Sequence, residues 1–184
     1  MSFCARKGKP TKANKSGVAT AADSVMTRKE TAKFIYDWYK PEGSILEPAA
    51  GSNVFYDLFC QPKYRCEITE GTDFFCWDKK VDWIITNPPY SIYDNFLEHC
   101  FCIADNTVLF VPVAKALKSN KIMKMVEKYG GLKEILYMGS GQQHGFAFGF
   151  PVGCLYYKRN YNGKTLITLR VAQKQNNESK FYST

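Results

Sequence analysis

The apolar positions of this chain fall into two rhythms that alternate along its length. Short near-continuous apolar runs read as strands buried on both faces, and stretches with apolar residues three or four apart read as amphipathic helices. Thr27-Arg28-Lys29-Glu30 has capping-box spacing, with Thr27 as N-cap and Glu30 at the third helical position. The helix it opens carries Phe34, Ile35 and Trp38 on one face and stops near Tyr39, before Pro41 and Gly43. Ser44–Glu47 follows as a short strand, then a turn of small residues and a helix beginning near Val54. Tyr64–Ile68 and Val81–Thr86 are the next strands. Ser91-Ile92-Tyr93-Asp94 again has capping-box-like spacing and opens a helix to about Ala104, with Asp105-Asn106 as the turn behind it. Thr107–Val113 is a near-continuous apolar strand, and residues 114–129 form an amphipathic basic helix closed by Gly130-Gly131. Leu132–Met138 and Val152–Arg159 are strands around a mobile, glycine-rich loop, and Thr165–Val171 adds a last one.

Helices and strands that alternate in this way predict an α/β domain with a mostly parallel sheet, here over residues 24–172. A basic arm over 1–23 and a polar tail over 173–184 flank it, both too poor in apolar anchors to fold. The formal net charge of +8 favours a polyanionic partner. The arm is either a solubilising tail or a non-specific phosphate contact, and the lysines of 114–129 are either a solvated face or a phosphate contact. The seven cysteines include no Cys-x-x-Cys spacing, and the first residues lack the apolar core of a signal peptide. They read as reduced thiols of a cytoplasmic protein. With His99 and His144 as the only histidines, neither at zinc-ligand spacing, no metal site is expected. No apolar run is long enough to span a membrane.

The chemistry concentrates in Asn87-Pro88-Pro89-Tyr90-Ser91, directly after the Val81–Thr86 strand. The prolines forbid continuation of the strand, and the residue before a proline is held extended. The result is a stiff corner that presents a carboxamide oxygen, a backbone carbonyl and an aromatic face together. An exocyclic amino group on a planar ring fits that arrangement. Two acceptors take its hydrogens, the ring stacks, and the nitrogen lone pair is drawn out of conjugation. The plainer reading is a turn after a strand.

The corner resembles the catalytic motif of amino-methyltransferases that use S-adenosylmethionine, above all the adenine-N6 nucleic-acid enzymes. The resemblance spans roughly residues 24–160. It implies a Rossmann-like class I methyltransferase fold whose parallel sheet is closed by an antiparallel hairpin. Asn87, Pro88, Pro89 and Tyr90 would then be the catalytic residues, with Tyr90 and Ser91 against the substrate. Glu47-Pro48-Ala49-Ala50-Gly51-Ser52-Asn53 resembles the acid-Pro-x-x-Gly-x-Gly cofactor loop, with Asn53 in place of the last glycine. Glu47 would accept from the cofactor's ammonium or order water beside it. Glu67 stands where nucleotide sites hold ribose hydroxyls. Gly71-Thr72-Asp73-Phe74 resembles the adenine-contacting segment, with Asp73 accepting from the amino group and Phe74 or Phe75 as an apolar wall. Thr27 matches the Thr of a Thr-Pro pair that contacts cofactor in the family, although Arg28 replaces the Pro. Asn87 belongs to the cofactor set as well.

Only residues 68–72 separate Glu67 from Asp73, too few for a helical crossover, so the sheet is expected to be abbreviated around its second and third strands. This compression resembles small phage-type members of the family, which would place the protein in the host cytoplasm. In the loop between the last two long strands, Phe146, and next Phe148, would pack against an extruded base, or else fill the core. His144 reads as a hydrogen-bonding loop residue rather than a base. The expected partner is nucleic acid, DNA ahead of RNA. The core consumes the residues after Tyr90, so target recognition would be weak or supplied by a protein partner. Protein-glutamine and rRNA guanine-N2 methyltransferases share Asn-Pro-Pro-aromatic, and a catalytically idle methyltransferase-fold subunit is a further alternative.

Overall fold

The protein is seen as a computed structural model that describes residues 26–170. The expected arm and tail lie outside these residues. The strands are β1 (Ile45–Glu47), β2 (Lys63–Arg65), β3 (Val81–Thr86), β4 (Ala104–Pro112), β5 (Gly130–Ser140), β6 (Pro151–Arg159) and β7 (Leu166–Leu169). They form one sheet in the order β2-β1-β3-β4-β6-β5-β7. β1 to β4 pair in parallel, β6 runs antiparallel to both β4 and β5, and β7 lies parallel to β5 at the far edge. The expected parallel sheet with a closing hairpin is therefore present. Among the described residues, no helix is long and apolar enough to cross a membrane.

Adjacent residues of the central strands point to opposite faces, and both faces are covered. Leu46, Ile84 and Leu109 pack with α2 (Tyr93–Ile103) and α3 (Asn120–Tyr129). Their neighbours Ile45, Ile85 and Val108 pack with α1 (Lys29–Tyr39) and with Phe55 and Phe59. This is why these strands are continuous apolar runs rather than alternating ones. Each fully buried aliphatic side chain contributes about 1.5–3 kcal/mol to that packing.

The abbreviation is also present. Among the described residues there is no α-helix between α1 and α2, only 3-10 turns at Tyr56–Leu58, Ile68–Glu70, Phe74–Cys76 and Tyr90–Ile92. The helix expected from Val54 is thus a single turn. Phe55 and Phe59, four residues apart, are both buried by that one turn, and the Lys63 ammonium donates to the Tyr56 carbonyl at 3.0 Å. Pro62 then closes the segment directly ahead of β2.

Further boundaries differ from expectation, and the helix expected over 114–129 is a 3-10 turn at Val113–Leu117 followed by α3. Thr27 does not cap α1. Arg28 is the N-cap, with no side-chain cap bond, and the Thr27 hydroxyl is buried and turned toward Asn87. Ser91 is exposed within a 3-10 turn, and Ile92 is the N-cap of α2. Asp105-Asn106 is not a turn, because α2 passes directly into β4 at Ala104. The carbonyls at that junction are satisfied from elsewhere. Arg159 donates to Phe101 O at 2.6 Å and Ala104 O at 2.8 Å, and the Tyr129 hydroxyl donates to Asp105 O at 2.8 Å. With its last carbonyls capped by β6 and α3, the helix needs no loop to end it.

Candidate active site

β1 lies between β2 and β3, and all three are parallel, so their carboxyl ends open on one edge of the sheet. That edge is where ligands sit in open α/β sheets. The pairing continues past the strand ends, with Cys66 N–H donating to Glu47 O at 2.9 Å and Ala50 N–H to Cys66 O at 3.0 Å. Glu47, Glu67 and Asn87 thereby stand at the carboxyl ends of three adjacent parallel strands.

At the end of β3, the Asn87 carboxamide is gripped at both ends. Its Nδ2 donates to Thr27 Oγ1 at 3.2 Å, and its Oδ1 accepts from the Tyr90 hydroxyl at 3.1 Å. Pro88 is buried, and Asn87, Pro89 and Tyr90 are half-buried. The carboxamide orientation is therefore set by a residue sixty positions earlier in the chain.

The Tyr90 ring lies parallel to Phe146, at 6.1 Å between centroids and 7° between planes. Phe146 is only 4% exposed and also packs on Phe110 and Phe150. In this form it is core packing behind Tyr90, whereas Phe148 is 71% exposed. The loop that carries them is pinned rather than loose. The buried His144 bridges Thr31 Oγ1 and Met138 O, both at 2.9 Å, and Arg28 donates to Gln142 O at 3.4 Å. His144 is the structural hydrogen-bonding residue expected of it.

The loop after β1 turns through Gly51 (φ 48°) and Asn53 (φ 63°), both left-handed. Asparagine tolerates this conformation better than other non-glycine residues, and Arg65 holds its Oδ1 at 3.0 Å. The substitution of the final glycine thus leaves the turn intact. Gly51 is exposed, and among the described residues a side chain built there would meet the Met26 sulfur alone, at 3.9 Å. Pro48 is buried and Ala49 half-buried beneath the turn.

Glu67 accepts from Gly51 N–H at 2.7 Å and from the Thr69 N–H and hydroxyl at 3.1 and 2.8 Å. Burial alone would raise its pKa, but these donors outweigh burial and hold the carboxyl below its ordinary value. Glu47 is the opposite case. It is 1% exposed, and its Oε2 accepts from Tyr56 N–H at 2.6 Å. Burial pushes its pKa up to about 9, against the Tyr56 hydrogen bond. Here it anchors the loop from below rather than standing open to a ligand.

Asp73 caps the turn after it, accepting from Phe75 N–H at 2.9 Å. Its charge reaches Cys66, whose thiol is raised to about 11, chiefly by burial. Phe74 is buried against Phe96 and His99, so the ring that remains accessible is Phe75, at 43% exposure.

Sequence reasoning missed two contributors. Lys115, on the 3-10 turn after β4, places its ammonium 5.7 Å from the Tyr90 ring centre and 5.2 Å from that of Tyr93. Met26 lies across Gly51, and its carbonyl faces Gly145. Neither carries a local signal, because both reach the corner only through the fold. Among the described residues, no three His, Cys, Asp or Glu side chains gather to hold a metal.

The sequence matches no family model and no curated protein. Solved structures do share its fold. The methyltransferase subunit of a type I restriction-modification system from Streptococcus thermophilus superposes with a TM-score of 0.60 at 14% identity, over 82% of this chain and 48% of that one. A Vibrio vulnificus protein described as the modification subunit of a type I restriction enzyme gives 0.59 at 15% identity, over 85% and 49%. A Listeria monocytogenes protein described as a class I S-adenosylmethionine-dependent methyltransferase gives 0.58 at 11% identity, over 84% and 68%. The chain has the class I methyltransferase fold, and it spans about half the length of the two restriction-system subunits.

Proposed function

We propose that this protein transfers a methyl group from S-adenosylmethionine to the exocyclic amino group of adenine in DNA or RNA, with little sequence recognition of its own. The observation that carries the reading is the Asn87 carboxamide, locked between Thr27 and Tyr90 at the carboxyl end of β3. Two neighbours of the same fold are described as methyltransferases, one of them S-adenosylmethionine-dependent, and a third as the modification subunit of a type I restriction enzyme, which supports the same class of chemistry.

The residues present fit the cofactor. Gly51 brings backbone without a side chain to the rim, Glu67 offers an ionised carboxylate for ribose hydroxyls, and Asp73 with Phe75 offers an acceptor beside an exposed ring. When bound, S-adenosylmethionine supplies an electrophilic sulfonium methyl. Everything else falls to the chain. Asn87 Oδ1 and the Pro88 carbonyl accept the two amino hydrogens, and Tyr90 stacks on the ring. The proton leaves after transfer, so no strong base is required. Positioning supplies most of the acceleration. A base within a duplex must first be extruded or unpaired. Phe148 is the exposed aromatic available to it, and Phe146 supports Tyr90 from behind. A protein partner would supply any target selection.

Labelled-methyl transfer to DNA, RNA and a glutamine-containing peptide, followed by nucleoside digestion, tests the assignment. Label in N6-methyladenine is the expected result; label in glutamine or guanine reassigns the substrate. Asn87→Ala is expected to abolish transfer while calorimetric binding of S-adenosylmethionine persists. Cofactor binding without transfer to any acceptor would favour the idle-subunit reading.

A further inference from the structure

Charge is distributed unevenly over the helices. Along α1, Lys29 and Lys33 are matched by Glu30 and Asp37, and α2 carries Asp94 and Glu98 with no lysine or arginine. Residues 113–129, which form the Val113–Leu117 turn and α3, are different. They hold Lys115, Lys118, Lys121, Lys124 and Lys128 against a single acid, Glu127.

The fold sets this segment beside the Asn87 corner. β4 is parallel to β3 and next to it, so the turn that leaves the carboxyl end of β4 starts on the same edge as Asn87. The Lys115 ammonium stands 5.7 Å from the Tyr90 ring centre. α3 then runs back along the sheet, and the hydroxyl of its last residue, Tyr129, donates to Asp105 O near the start of β4. At 1.5 Å per residue the helix extends about 15 Å from that edge.

Lys121, Lys124 and Lys128 are three and four positions apart and share one flank of α3, while Ile122, Met125, Val126 and Tyr129 are buried. Lys121 and Lys124 are exposed, and among the described residues neither is in an ion pair. Among the same residues, the acids of α2 form an ion pair with this segment at one place, between Asp94 and Lys118 at 2.6 Å. Leu117, 70% exposed between Lys115 and Lys118, adds apolar surface at the corner end. A small anion would use two or three such cations. A row that starts at the Tyr90 ring and leaves it in one direction matches a ligand whose negative charges repeat along a line.

We infer that the Val113–Leu117 turn and the lysine flank of α3 form the track for the nucleic-acid strand on one side of the target base. Lys115 takes the phosphate nearest the base, and Lys121 and Lys124 take phosphates farther along. This rests on the methyl-transfer reading for its class of ligand, and adds where the strand runs.

The test uses the full chain without cofactor and a fluorescently labelled single strand with one adenine among thymines. Binding is followed by anisotropy between about 50 and 200 mM salt. Each phosphate contact on a single strand contributes about 0.7 to the slope of log K against log salt, so Lys121→Gln/Lys124→Gln should lower that slope by about 1.4. Over this fourfold range, the ratio of wild-type to variant affinity should grow about sevenfold toward low salt. Lys40→Gln/Lys158→Gln removes the same charge from two exposed positions at the other end of the sheet and should leave the slope unchanged. An unchanged slope in the α3 variant overturns the inference. So does an equal fall in both variants, or an absence of binding by the wild type. The methyl-transfer reading is judged apart from this by the label assay. Label in N6-methyladenine with an unchanged slope keeps that reading and removes the track, whereas a lowered slope with no label in adenine keeps the track and removes the chemistry.

Discussion

Glu47→Gln isolates the effect of a buried acid under the loop after β1. The Glu47 carboxyl is 1% exposed, and burial raises its pKa to about 9 from an ordinary value of 4.5. Between these two values the folded chain holds a proton at this site that the unfolded chain has released. Stability then falls as pH rises, because the folded state binds more protons across that window. Each unit corresponds to about 1.4 kcal/mol, so this one group costs roughly 3 kcal/mol on going from pH 4.5 to pH 7. Glutamine keeps an oxygen for the Tyr56 N–H and cannot ionise. Its extra N–H groups add a burial cost of about 1–3 kcal/mol, but that cost is the same at every pH. Urea denaturation followed by circular dichroism at pH 5, 6 and 7 separates the two contributions. The wild type should lose stability relative to Glu47→Gln by about 1.4 kcal/mol per pH unit. Parallel pH profiles for the two proteins would refute the reasoning, and would mean that Glu47 is already ionised in the fold.

The remaining predictions concern the grip on Asn87, the rim and the sheet junction. Thr27→Val removes an acceptor of the Asn87 Nδ2 hydrogen; a lost hydrogen bond of about 0.5–1.5 kcal/mol should lower kcat about 2–10-fold. Glu67 has a lowered pKa, so its contribution to stability is present above its ordinary value and lost as pH falls through the folded one. Glu67→Gln should therefore flatten the acid side of the stability profile and weaken S-adenosylmethionine binding in calorimetry. Arg159→Ala removes the side-chain donor to Phe101 O and one of the two to Ala104 O, the other being the Tyr129 hydroxyl. It should destabilise the fold by about 2–3 kcal/mol in chemical denaturation.

What local sequence settled were features governed by near neighbours. Continuous apolar runs at Ile45-Leu46 and Ile84-Ile85 meant strands covered on both faces, and the packing of each pair onto opposite sides is the reason. Two prolines after Asn87 were bound to end β3 in a rigid corner, and Asn53 was able to replace glycine because it accepts a positive φ. The few residues between Glu67 and Asp73 ruled out a crossover helix on chain length alone.

Other features were decided only by tertiary structure, because their partners lie far away in sequence. Thr27 sat at ideal capping spacing, yet its hydroxyl serves a carboxamide sixty residues on. Asp105-Asn106 looked like a turn, but Arg159 and Tyr129 cap the helix from other elements and make a turn unnecessary. Which of Phe74 and Phe75, and which of Phe146 and Phe148, faces outward depends on what packs behind each ring. Trp38 and Trp83, with Lys40, Lys133 and Lys158 and the acids Glu42, Asp82 and Glu134, meet beside the starts of β3 and β4 from separate elements with no common motif, and only the sheet's strand order assembles them.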